Sequence, residues 1–135
     1  MTNDKLIARH RLDNGLELLF HEQENRYFGD YHQVKVIVTC KVPLDESRQS
    51  AHLSLSDLKK AKQLFGDHLE YHRELRQMAV AGGDVETVRV DLVRRFIESS
   101  GSYMQGADFA SRFIARKLKD YRNRNRLHLY NSCSN

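Results

Sequence analysis

Leu6-Ile-Ala-Arg-His-Arg-Leu12-Asp-Asn-Gly15-Leu-Glu-Leu-Leu-Phe20 is the stretch whose reading decides the fold. Leu6, Ala8, His10 and Leu12 alternate with Ile7, Arg9 and Arg11. Beyond Asp13-Asn14-Gly15, Leu16, Leu18 and Phe20 alternate with Glu17, Leu19 and His21. Period-two alternation on both sides of Asn-Gly marks a β-hairpin. Its register can be argued from the side chains. A two-residue turn would set Leu12 opposite Glu17 and Arg11 opposite Leu18. A three-residue loop sets Leu12 opposite Leu16, His10 opposite Leu18 and Ala8 opposite Phe20. Only the second keeps the apolar set on one face, because a slip of one residue inverts every side chain. The sequence therefore predicts a type I turn with Gly15 left-handed as a bulge.

Outward from the hairpin, Val34, Val36, Val38, Cys40 and Val42 share one face of a third strand over about 33–42, and Pro43 ends it. Residues 44–55 read as a polar connection. Ser56-Asp57 reads as the cap of a short helix with Leu58, Ala61, Leu64 and Phe65 on its apolar face, stopped at Gly66. Residues 67–80 fit neither period cleanly; a strand over 68–76 is the preferred reading after the Gly66-Asp67 break. A helix capped by Asp84 follows to about Ser99, broken by Ser100-Gly101-Ser102 through Gly106. A last helix capped by Asp108 buries Phe109, Phe113, Ile114, Leu118 and Tyr121, and frays near 124. Strands first and helices last make an α+β fold: a three- to four-stranded antiparallel sheet, in the order β-β-β-α-β-α-α, with helices packed on one face. The expected organisation is a single domain over 1–124 and a flexible polar, basic tail over 125–135.

The 135 residues suit one core, and 40% apolar with 30% charged residues is an ordinary globular balance. No apolar run is long enough to cross a bilayer. The polar start Met1-Thr-Asn-Asp-Lys5 lacks a signal-peptide pattern, and two cysteines, Cys40 and Cys133, make no disulfide framework. A cytoplasmic protein with no membrane partner is the expectation. The net charge of +4 is unevenly placed: residues 109–135 hold seven of the 22 Lys and Arg but only Asp120 of the 18 acids.

That basic excess is the first candidate site. At helical spacing Arg112, Arg116, Lys119 and Arg122 form a stripe opposite the apolar arc, and Arg124 and Arg126 extend it. Such a stripe suits a row of phosphates; a solvated outer face is the plainer reading, since no nucleic-acid-binding motif accompanies it. The second candidate is Arg26-Tyr27-Phe28-Gly29-Asp30-Tyr31-His32, read as a loop dense in aromatic and charged groups that would grip a ligand or partner, or else pack beneath a helix. The third is His68-Leu-Glu-Tyr-His72. His68, Glu70 and His72 would share a strand face and allow a metal, but no further ligand has the spacing.

Enzyme readings fail on inventory. Cys40 sits in an apolar strand, Ser99-Ser100-Gly101-Ser102 lacks a phosphate-loop lysine, and Gly82-Gly83 matches no dinucleotide fingerprint. No catalytic set, cofactor or metal is expected.

Leu12-Asp-Asn-Gly-Leu16, Arg26 with Gly29-Asp30 before a Val-rich strand, and Phe113-Ile-Ala-Arg-Lys-Leu118 resemble a group of small uncharacterised bacterial proteins. The resemblance implies a bacterial cytoplasmic protein and no activity, cofactor or site residue. The expected function is a protein-interaction or self-associating module. Ile7, Leu19 and Ile37, which stand outside the main alternation, are offered as a dimer surface. The alternative is weak, sequence-tolerant nucleic-acid binding through the basic C-terminal helix.

Overall fold

The computed structural model describes residues 5–133, with side chains for 5–23 and 29–125. Strands β1 (Lys5–Arg11), β2 (Glu17–Phe28), β3 (Tyr31–Pro43) and β4 (His68–Ala81) form one antiparallel sheet in the order β1-β2-β3-β4. Helices α1 (Leu55–Phe65), α2 (Val85–Phe96), α3 (Ser102–Met104) and α4 (Phe109–Cys133) complete the α+β arrangement. The chain divides into two compact units. One comprises the residues up to Lys41 with Glu70–Gly106; the other comprises Val42–Leu69 with Ala107 onward.

In the first unit the hairpin has the register its sequence predicts. His10 pairs with Leu18 and Ala8 with Phe20, and Gly15 has φ +89°. Gly15 N–H donates to the Leu12 carbonyl at 3.0 Å, closing the turn, and Leu12 N–H donates to the Leu16 carbonyl at 2.7 Å. Asn14 anchors this loop. Its Oδ1 accepts from Leu16 N–H at 3.1 Å, and its Nδ2 donates to the carbonyls of Met104 at 2.8 Å and Gly106 at 3.2 Å. The turn thereby holds the C-terminus of α3.

Leu18, Phe20, Val36 and Val38 are fully buried on one sheet face, and α2 covers that face. Phe20 meets Phe96 edge-to-face at 5.9 Å, a pair contributing about 1 kcal/mol beyond its area. Beside it, Arg89 reaches Glu22 at 2.7 Å and also pairs with Glu86. α2 does not stop at Ser100. It passes through a π turn, Ile97–Gly101, into α3 and ends at Gln105-Gly106. Ser99 Oγ donates to the Arg95 carbonyl at 2.7 Å, and the widened turn carries the helix through the Ser100-Gly101-Ser102 segment that reads as a break.

In the second unit α1 is capped by Ser54, not Ser56: its hydroxyl accepts from Asp57 N–H at 3.1 Å. The side chain two residues earlier wins because the cap must precede Asp57 by three residues to reach its N–H. The preceding connection holds a 3-10 turn, Glu46–Arg48, and buries Leu44 and Leu53. Leu58, Ala61, Ile114 and Leu118 are buried, and Phe65 meets Tyr121 at 5.9 Å. The backbone of α4 stays helical to Cys133, past the expected end near 124. The Arg-Asn repeats hold no proline or glycine, so nothing in them forces the helix to end.

Candidate functional site

The basic stripe lies where helical periodicity puts it. Arg112, Arg116, Lys119, Arg122 and Arg124 are all exposed on α4; the Arg126 side chain lies outside the described residues. Arg122 reaches Asp57 of α1 at 3.4 Å. Arg116 and Lys119, with Ala115, Asp120 and Asn123, border an open hollow of about 630 Å³ along the helix. One helix supplies every wall, so the hollow is a surface with no enclosure for a small molecule.

The Arg26–His32 segment is not a loop. Arg26 pairs with His32 and Phe28 with Tyr31, so β2 and β3 continue almost to the tip. Only Gly29-Asp30 turns the chain, with Gly29 at φ +57°. Aromatic residues favour strands, and glycine supplies the positive φ a two-residue turn needs. Asp30 and Tyr31 are exposed; the side chains of Arg26, Tyr27 and Phe28 lie outside the described residues.

Cys40 is buried at 1% exposure, the setting of a core thiol. Ile37 is also buried, at 7%, although it stands on the sheet face opposite α2, and Ile7 and Leu19 are half-buried. Ile37 therefore offers little surface to a second copy, while Ile7 and Leu19 keep part of theirs. A shallow groove of about 180 Å³ runs between Ile7, Ala8, Val90 and Val93, rimmed by Glu86 and Arg89. A recess beside Glu22 and His32 has room for about one water, at about 20 Å³. Among the described residues no three His, Cys, Asp or Glu side chains gather as a metal site, and no helix is long and apolar enough to cross a membrane.

What remains is β4. Among the described residues it is the last strand of the sheet, with β3 as its one neighbour, and it runs for 14 residues. The strand reading over 68–76 was right in kind and short in length. Its side chains are exposed or half-buried from His68 to Met78. Arg73 lies on the α2 face, its guanidinium 5.8 Å from the Phe96 ring centre and within 3.4 Å of Ser100 Oγ. Glu74 lies on the opposite face, 2.7 Å from Lys35 of β3 and 2.9 Å from Arg76. Those contacts, Lys35 first and Arg76 second, hold the Glu74 carboxyl below the usual carboxylate range. Alternation puts His68, Glu70 and His72 on the same face as Glu74. Glu70 and His72 are exposed and pair with nothing among the described residues. At Ala79 the backbone turns left-handed, φ +56°, which ends the regular run.

A long strand with one open side is a template for another strand. The sequence signal for it was present: acids at Glu70 and Glu74 alternate with bases at Arg73 and Arg76. What it lacked was the strand's position at the sheet edge. No family model, curated protein or solved structure matches this chain.

Proposed function

We propose that this chain is a protein-interaction module of the cytoplasm that works by self-association through the open edge of β4. The observation that carries the reading is the length of that edge: a 14-residue strand, exposed or half-buried from His68 to Met78, with β3 alone beside it among the described residues. Backbone N–H and C=O groups on such an edge are satisfied by water in the single chain and by a second strand in a complex. Hydrogen exchange measured over a range of protein concentrations tests it. The amides of residues 70–78 should gain protection as concentration rises, while those of β1 stay unchanged. Equal exchange of β4 at every concentration would refute self-association at this edge.

One observation favours a second reading, sequence-tolerant binding of nucleic acid by α4. Arg112, Arg116, Lys119 and Arg124 project from one long helix into solvent. Phosphates neutralised by such a row release counterions, so retention on DNA or RNA would fall steeply with salt. Changing Arg112, Arg116 and Arg122 together to Glu should abolish retention with little change in melting temperature. Retention equal to the parent's would remove this reading.

A further inference from the structure

The partner of β4 can be named from its charge order. We infer that β4 pairs antiparallel with β4 of a second copy, across a two-fold axis at Arg73, joining two four-stranded sheets into one. The inference rests on the reading of β4 as the interacting edge and adds the partner and the register.

An antiparallel pairing about a two-fold axis normal to the sheet keeps each face on its own side. Only registers that set a residue opposite one of like parity then survive. Centred on Arg73, Glu70 of one copy faces Arg76 of the other, and His72 faces Glu74; symmetry repeats each pair. On the α2 face Tyr71 faces Leu75, both half-buried in the single chain. Arg73 meets its own copy at the axis, but each Arg73 is drawn toward its own Phe96 and Ser100. Opposite-charge and aromatic–aliphatic pairs directly across from one another are the units of sheet stabilisation.

The neighbouring registers fail. Centred on His72, Glu70 faces Glu74 and His68 faces Arg76. Centred on Glu74, that residue faces itself and His72 faces Arg76. Centres at Tyr71 or Leu75 avoid most like-charge pairs but shorten the overlap, one running past His68 and the other into Ala79. The regular run His68–Met78 has Arg73 as its midpoint, so the complementary register is also the one that uses the whole run. A free Glu70 and His72 in the single chain are then the two groups the second copy satisfies.

Charge exchange tests the register on the full chain, with mass read by light scattering from low to high protein concentration. The parent should reach twice the chain mass. Glu70→Arg and Arg76→Glu should each weaken association by roughly tenfold or more, since two attractive pairs become repulsive in each dimer. The double variant, carrying both changes, should recover the parent's association, and circular dichroism of all three should match the parent. A dimer indifferent to the single changes, or a double variant that stays monomeric, overturns the register. Concentration-dependent protection of the β4 amides would in that case still uphold β4 as the interacting edge. A parent monomeric throughout, with β4 amides unprotected, overturns both.

Discussion

β1 and β4 are the two edges of one sheet, and they are built in opposite ways. β1 has seven residues, and its pairing with β2 shifts register between Leu6 and Ala8, which places an irregularity in its middle. It carries Lys5, Arg9 and Arg11 and no acid. Every same-face register of β1 against a second β1 opposes two cations or leaves a cation against an apolar residue. Shortness, a bulge and uniform positive charge are the devices by which edge strands avoid pairing. β4 is twice as long, regular from His68 to Met78, and alternates acid with base. The difference teaches that one sheet can hold a guarded edge and an open one. Charge order along the strand separates them, since net charge alone does not record who faces whom.

The largest expected effect comes from removing what the middle of the sheet and the β4 edge share. Phe96 packs against Phe20 at the centre of the sheet and lies under Arg73 of β4. Phe96→Ala should cost about 3–4 kcal/mol in a denaturant titration, the range for deleting a buried aromatic ring. It should also release Arg73 toward the axis, so association should weaken as well. Full stability would contradict the packing of α2 described above.

Next in size is an attempt to erase the contrast. Arg9→Glu gives β1 its first acid, which can face Lys5 of another copy, and removes the 3.8 Å contact to Glu17. With both edges open, β4–β4 and β1–β1 pairings can alternate in an open array, and the protein should form species larger than a dimer at high concentration. A variant that stays at the parent's mass would show that length and the bulge, more than charge, close β1.

Two smaller effects sharpen the picture of β4. Ala79 sits at φ +56°, a conformation that costs a residue with a Cβ about 1–2 kcal/mol. Ala79→Gly removes that strain but adds unfolded-state entropy, so a net gain of about 0.5 kcal/mol is expected in thermal unfolding, with no change in mass. Glu74 gives a pH signature. Its carboxyl is held below its ordinary value by Lys35 and Arg76, so the folded state binds the proton less readily than the unfolded chain. The resulting stabilisation is present above the unfolded value, about 4.3, and fades as pH falls toward the folded one. Glu74→Gln should flatten the acid limb of the stability–pH curve, and the effect should be small because the group is exposed.

How much of this was legible in the chain varied with how local the physics was. The first hairpin was readable to the residue, because Asn14-Gly15 and the apolar alternation constrain the same register from two directions. The second hairpin was misread as a loop. Aromatics and charges crowd its tip, and the only turn signal is a single Gly29-Asp30. The serines at 99–102 looked like a break, yet a π turn carries the helix through, with Ser100 Oγ placed near Arg73. The basic face of α4 followed directly from helical spacing. The open edge did not, since strand order is a property of the whole sheet, and the residues of β4 say nothing locally about which side lacks a neighbour. Once that order is known, Glu70, His72, Glu74 and Arg76 become a pattern with a partner.

Disulfide trapping at the axis tests the central claim most directly. In a chain with Cys133 changed to Ser, Arg73→Cys places two thiols opposite each other at the two-fold. Directly opposed strand residues have Cα atoms about 4.5–5.5 Å apart, within reach of a disulfide. Mild oxidation should convert Arg73→Cys to a covalent dimer, while Leu69→Cys and Gln77→Cys, which face each other and not themselves, should cross-link poorly when each is present alone. Trapping at Leu69 or Gln77 in preference to Arg73, or no trapping at all three, would contradict the pairing.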